Sequence, residues 1–164
     1  ILHSLSISKL ISFSPKTKIL DLGTGGGLPG IPLAIIFPQA EFHLIDRKEK
    51  KIQVVNKIVN ELKLTNVKAD SSDVKYMNTK YDFILNRAVS STENIIRICN
   101  NKINSISVNK IQNGIICLKG GDLKIELNKV KDFKILNLKE IFFEPFFETK
   151  KIIYIPNPYI RKDN

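Results

Sequence analysis

The hydrophobic positions change their period several times along the chain, and each change marks a different element. KILDL at Lys18–Leu22 is an apolar run closed by an acid, the form of a short buried strand. A glycine-rich loop follows, then an apolar stretch at 31–37 that reads as a helix ended by Pro38. EFHLID at Glu41–Asp46 alternates as a second strand does. KEKKIQVVNKIVNELKL then puts Ile52, Val55, Ile58, Val59 and Leu62 on one face of a long amphipathic helix. Asn66 turns the chain into a third strand at 67–70, and YDFILN at 81–86 is a fourth. A second long helix is predicted over 92–106. The Asn113-Gly114 turn introduces a fifth strand at 115–119, and a polar helix is predicted at 122–131.

Strict alternation of strand and helix predicts a parallel sheet with helices on both faces. The end of the chain breaks that pattern. Segments 133–143 and 150–156 both read as strands, yet only EPFFET separates them, too few residues for a parallel crossover. They are predicted to form an antiparallel hairpin. Five parallel strands capped by a terminal hairpin make an α/β, Rossmann-like sheet of seven strands, the outline of the class I S-adenosylmethionine-dependent methyltransferases; the dinucleotide-binding sheet instead has six parallel strands.

At 164 residues the chain is expected to form one domain over 18–156, long enough to bury roughly 70% of its unfolded surface. A tail is expected at 157–164. ILHSLSISKLISF at the start looks like a helix whose upstream neighbour is absent, so 1–17 reads as the remnant of a truncated helical segment. Charge or turn residues interrupt every apolar stretch well short of the ~20 residues a membrane span requires, and no secretory signal pattern is present. Cys99 and Cys117 have neither metal-ligand spacing nor a disulfide framework, which points to a reduced, cytoplasmic setting.

A formal charge of +10 suits an anionic partner such as nucleic acid. Only four of the 26 basic residues are arginine, however, and Lys, Ile and Asn crowd the whole chain, as an AT-biased genome would produce. Charge alone decides nothing.

The chemistry concentrates in LDLGTGGGLPG at 20–30. Gly25, Gly27 and Gly30 satisfy G-x-G-x-x-G, and Asp46 follows about 20 residues on, so the loop by itself also matches the fingerprint for nicotinamide or flavin dinucleotides. Asp21 is the discriminating residue. A pyrophosphate over this loop would be repelled by a carboxylate at the strand end, whereas the sulfonium and ammonium of S-adenosylmethionine would be attracted. Asp46, closing the second strand, can accept from both ribose hydroxyls; Asp46 and Glu49 also have the spacing of a helix capping box, and the two roles are compatible. Ser72, Asp73 and the backbone of Val74 stand where an adenine edge would lie, or form a plain surface turn. Arg87 ends the fourth strand, beside the place where substrates enter such sheets, or is a surface charge.

Absences narrow the reaction. No Asn/Asp-Pro-Pro-aromatic motif for exocyclic amines follows the fourth strand, and neither cysteine closes a strand as a nucleophile for pyrimidine C5 would. Guanine N7 carries a free lone pair and needs no general base, so proximity and electrostatics suffice for its methylation.

With these residues in view, the chain resembles the RsmG family, also called glucose-inhibited division protein B, which methylates a guanine N7 in bacterial small-subunit ribosomal RNA. LDLGTGGGLPGIPLAI, the D-x-x-x-K-K from Asp46, the N-R-A at 86–88 and LKGGDL from Leu118 carry the resemblance, which runs from Ile1 to about Pro156. It implies S-adenosylmethionine as cofactor and 16S RNA of the small subunit as partner; a monomer is the expected state. It also implies that Gly23, Thr24, Gly25 and Gly27, with Leu28 beside them, hold the methionine part, that Asp46 lies near the ribose, and that Arg87 and Lys119 face the methyl transfer or the RNA. Three positions depart from the family pattern: Asp73 where Arg is common, Asp46-Arg47-Lys48-Glu49 in place of D-S-x-G, and Asn86 where Ser is common. Lys48, Lys50 and Lys51 join Arg87 and Lys119 as cations near strand ends that suit RNA phosphates. The pairs Phe142-Phe143 and Phe146-Phe147 are able to stack bases, although packing in the core and hairpin is the favoured reading. A nicotinamide-dependent oxidoreductase and a non-catalytic RNA-binding protein stand as alternatives.

Overall fold

The computed structural model describes residues 1–87, 90–99 and 101–157. In chain order the elements are α1 (Leu2–Leu5), β1 (Lys18–Leu22), α2 (Gly30–Ile36), β2 (Glu41–Asp46), α3 (Glu49–Glu61), β3 (Val67–Ser71), β4 (Phe83–Arg87), α4 (Thr92–Ile98), β5 (Gly114–Gly120), α5 (Lys124–Leu127), β6 (Lys134–Asn137) and β7 (Lys150–Pro156), with short 3-10 turns between them. The seven strands form one sheet in the order β3-β2-β1-β4-β5-β7-β6. From β3 to β5 every pairing is parallel; β7 runs antiparallel to β5 on one side and to β6 on the other. The expected terminal antiparallel pair is present. β7 inserts between β5 and β6, so the last strand in sequence is internal to the sheet.

Successive residues of each central strand enter opposite faces, which creates two cores. Ile19, Phe83, Leu85, Ile116 and Leu118 pack with α2 and α3 on one face. Leu20, Ile84, Ile115 and Cys117 pack with Ile95 of α4 and Leu127 of α5 on the other. The apolar runs of β1, β4 and β5 follow from this: strands covered on both faces have no polar side to show. Ile7, Ile11 and Phe13, from the segment read as a helical remnant, pack into the first core.

Several boundaries differ from the pattern-based expectation. On α3, Ile52, Val55 and Val59 are buried and Ile58 partly so, each full burial stabilising by about 1.5–3 kcal/mol, but Leu62 caps the helix and is exposed. The predicted helix over 92–106 ends at Ile98; the chain then returns to pair Ile103 with Tyr81, and Asn100 lies outside the described residues. The helix expected at 122–131 keeps one turn, α5. The strand expected over 133–143 stops at Asn137, because Leu138 turns inward to full burial and a 3-10 turn follows. The expected tail at 157–164 lies outside the described residues except for Asn157, as does Ala88 of the N-R-A motif.

Candidate active site

The chain leaves β3 at one edge and returns as β4 on the far side of β1, so the sheet has its switch point between β1 and β4. Ligands of such sheets bind beyond the carboxyl ends of the strands at that point. A cleft of about 650 Å³ lies there, walled by Leu22 at the end of β1 and Gly23 after it, Asp46 of β2, Ser72 and Asp73 after β3, Ser90 before α4 and Asn94 in its first turn. Its volume is that of a small-ligand pocket.

Two aspartates grip the glycine loop. Asp21 is completely buried beneath it, its Oδ2 accepting from the Thr24 hydroxyl at 2.6 Å and from the Gly30 amide at 2.8 Å. Burial pushes its pKa up to about 6, against the opposing pull of those two bonds and of the Arg87 charge; Asp46 nearby adds to the rise. Its Oδ1 has no hydrogen-bond partner among the described residues. Asp21, expected to attract a cationic ligand by its charge, has no exposed surface and lies beneath the loop. A side chain at Gly30 would come within 2.8 Å of Asp21 Oδ2 and of Leu44, so only glycine lets the helix start this close to the acid.

Asp46 sits beside the loop rather than under it. Its Oδ2 accepts from the Gly25 amide at 3.1 Å and, at 3.4 Å, from Lys51 Nζ; its Oδ1 accepts from the Lys48 amide at 3.0 Å. Partial burial raises its pKa, but these donors outweigh that and hold it below the usual carboxylate value. The capping box with Glu49 is not formed: Lys48 is the residue capping α3, and it makes no side-chain cap. Gly25, held at φ +60°, has open space where a side chain would project. Thr24 is buried, its amide donating to Ile45 of β2 and its carbonyl accepting from Gly27 and Leu28.

Across the cleft, the Ser72 amide donates to the Asp46 carbonyl, and Asp73 accepts from the Lys75 amide to cap a 3-10 turn. Val74 turns its side chain into the second core. Gly23, Asp46, Ser72, Asp73 and Val74 therefore share the cleft lining, while Thr24, Gly25, Gly27 and Leu28 form the loop behind it.

Arg87 is half-buried at the end of β4 and makes no hydrogen bond or ion pair among the described residues; its charge reaches Asp21 and His3. Lys119, expected to face the methyl transfer or the RNA, has partners within the protein. Its ammonium is held 2.8 Å from Glu126 Oε1 and 2.7 Å from the Ser90 carbonyl, and its side chain is only 10% exposed. Lys51 is likewise shared with Asp46. Phe142 and Phe147 stack at 4.4 Å as packing predicted, whereas Phe143 and Phe146 are exposed, with Lys150 Nζ 5.0 Å above the Phe146 ring. Sequence reading missed Ser90, Asn94 and Arg97 in the cleft wall, and Glu126 behind it. Ser91 caps α4 toward Asn94, a local signal that was available; nothing local marks Glu126.

The profile of the rRNA small subunit methyltransferase G family matches residues 1–153. The chain belongs to that family. It is similar to the Ribosomal RNA small subunit methyltransferase G of Christiangramia forsetii, 48% identical over 97% of this chain and 75% of the relative's length, and to that of Flavobacterium johnsoniae, 47% identical over 95% and 75%. It thus spans three quarters of these relatives. Among solved structures, a SAM dependent methyltransferase from Aquifex aeolicus superposes with a TM-score of 0.68 at 14% identity, covering 93% of this chain and 88% of that one. TrmN from Thermus thermophilus gives 0.64 at 12% identity over 93% and 47%. At such identities these likenesses speak for the fold alone, which is that of the class I methyltransferases.

Proposed function

We propose that the protein transfers a methyl group from S-adenosylmethionine to guanine N7 in 16S RNA of the small ribosomal subunit, acting as a monomer in the cytoplasm. The observation that carries the reading is Asp46, which joins the glycine loop to the cleft at the ends of β1 and β2, in a chain of the rRNA small subunit methyltransferase G family. Open space above Gly25, one carboxylate beneath the loop and one beside it, and a cleft of nucleoside size fit a cationic nucleoside cofactor. No helix among the described residues is long and apolar enough to cross a membrane, and both cysteines are free and buried.

When bound, S-adenosylmethionine supplies a methyl group on a positive sulfur. The protein's task is to hold and orient. Asp46 accepts from ribose hydroxyls while its bonds to Gly25 and Lys48 keep it ionised. The Gly23–Gly27 loop lets the ligand lie against backbone, and Ser72 and Asp73 border the base. The guanine N7 lone pair would take the methyl group as the carbon–sulfur bond breaks, leaving a neutral thioether and moving the positive charge to the purine, so no side chain would remove a proton first. Arg87, at the end of β4 and without a hydrogen bond or ion pair among the described residues, is the cation that would orient the guanine or an adjoining phosphate. Arg47, Lys48, Lys75 and Arg97 around the cleft give an RNA backbone its counter-charge.

The test is methylation of purified small subunits lacking the modification, with N7-methylguanosine mapped by chemical cleavage. One new site dependent on protein and S-adenosylmethionine is expected. Tight binding of NADH in calorimetry, with no binding of S-adenosylmethionine, would overturn the reading.

A further inference from the structure

One oxygen of Glu126 receives three donors. Its Oε1 accepts from the Thr92 amide at 2.7 Å, the Thr92 hydroxyl at 2.6 Å and the Lys119 ammonium at 2.8 Å. Thr92 is fully buried, and the Lys119 ammonium also donates to the Ser90 carbonyl at 2.7 Å. Ser90 is held from its other side too, its hydroxyl accepting from Asn94 Nδ2 at 2.6 Å. Burial raises the Glu126 pKa, but Lys119 and the two Thr92 bonds outweigh this and keep the carboxyl below its usual value, so it is ionised at neutral pH.

Glu126 lies on α5 and lines no part of the cleft. What it grips does: Ser90, Asn94 and Arg97 form the wall opposite Asp46. We infer that Glu126 is a positioning residue, which with Lys119 clamps the start of α4 and so sets the cleft's width for the cofactor. Lys119 thereby acts through Ser90 rather than on substrate. A surface ion pair would contribute little, but three donors on one partly buried oxygen, two of them from a fully buried residue, make a charge-assisted network in which every member depends on the others.

The inference rests on the cleft being the cofactor site, and the experiment separates the two. S-adenosylmethionine affinity is measured by calorimetry, well below the melting temperature, for the parent, Glu126→Gln, Glu126→Ala, Lys119→Met and the Lys119→Met/Glu126→Ala double variant. Glu126→Ala is expected to weaken binding by roughly tenfold or more, the scale of losing a hydrogen bond to a charged group. Glu126→Gln, which keeps the accepting oxygen, should recover part of that loss. The double variant should bind no more weakly than the worse single one, because both remove the same clamp. A purely structural Glu126 would lower the melting temperature and leave the affinity of the folded protein intact, which would overturn the proposal. If Glu126→Ala does not fold, Thr92→Val removes one donor at nearly constant volume, and unchanged affinity there would overturn it equally. A parent that fails to bind S-adenosylmethionine would overturn the cofactor reading, and the clamp with it.

Discussion

The two walls of the cleft are built by the same device under different conditions. In the glycine-loop wall, Asp21 and Asp46 accept the Gly30 and Gly25 amides; in the α4 wall, Glu126 accepts the Thr92 amide. Each time a carboxylate pins the backbone of a turn that carries no ladder hydrogen bonds of its own. The difference lies first in burial, which is complete only for Asp21, and then in what stands near the charge. Glu126 has an ammonium against it, and Asp46 has Lys51 within reach, but Asp21 lies buried with only a hydroxyl, one amide and the more distant Arg87. The two partly exposed acids keep pKa values below the usual carboxylate value, while complete burial lifts that of Asp21 to about 6 in spite of its two hydrogen bonds and the Arg87 charge. The loop wall thus contains the one acid among the three whose protonation changes in the physiological range.

Gly25 carries the largest expected effect. Its side-chain position is open, so Gly25→Leu should cost the fold only about 1 kcal/mol for a positive φ, yet weaken S-adenosylmethionine binding by about a hundredfold by filling the ligand's space. Unchanged calorimetric affinity would remove the loop from the ligand wall.

The next effect concerns pH. Because the folded-state pKa of Asp21 is raised to about 6, the native state holds a proton that the unfolded chain releases near 3.8. Asp21's contribution to stability is present at pH 4 and is lost as pH rises through 6, by roughly 2 kcal/mol. His3, with its pKa lowered to about 4 chiefly by burial, acts in the opposite sense over the same window, so the parent must be compared with Asp21→Asn to cancel it. Urea unfolding at pH 4, 5, 6 and 7 should show the extra pH dependence in the parent and not in the variant. Asp46, with its pKa lowered, contributes stability that disappears only as pH falls below that window.

Asp46→Asn should reduce S-adenosylmethionine affinity by about tenfold, as hydrogen bonds to a charged acceptor become bonds to a neutral one. Its melting temperature should move little, because Asp46 lies at the cleft rather than in the core. A large loss of melting temperature with intact affinity would make Asp46 a support of α3 and the loop instead.

The smallest expected effect separates the two cations first grouped together. Arg87→Ala should lower the slope of log RNA affinity against log salt by about one unit or less if Arg87 meets a phosphate. Lys119→Ala should leave that slope unchanged, since its ammonium is already committed to Glu126 and Ser90. A slope lowered by Lys119→Ala as well would return Lys119 to the RNA surface.

How far the site could be read in advance follows from the length of chain between partners. Asp21 reaches Thr24 and Gly30 across three and nine residues, so the glycine loop declares both its shape and its acid within one short stretch. Asp46 is 21 residues from Gly25, a spacing set by one helix and one strand of predictable length. Strand positions were legible for a related reason: burial on one or both faces imposes a pattern that composition cannot imitate. Helix ends were less so. The stretch over 92–106 keeps an apolar period after Ile98, yet the chain leaves the helix to pair Ile103 with Tyr81, a partner far away in sequence.

The sequence by itself determined the alternating strands and helices, the tight loop after β1, and the acids that close β1 and β2, because each depends on neighbours along the chain and on the period with which side chains meet a core. Tertiary structure alone decided that β7 lies between β5 and β6, that Asp21 has no surface, and that Glu126 holds Thr92 across 34 residues while Lys119 turns to Ser90 across 29. A lysine at a strand end looks the same in sequence whether it faces water or a carboxylate. Only packing α5 against α4 brings the carboxylate close enough to decide between them, and the cost of leaving either charge unpaired once partly buried then fixes where both point.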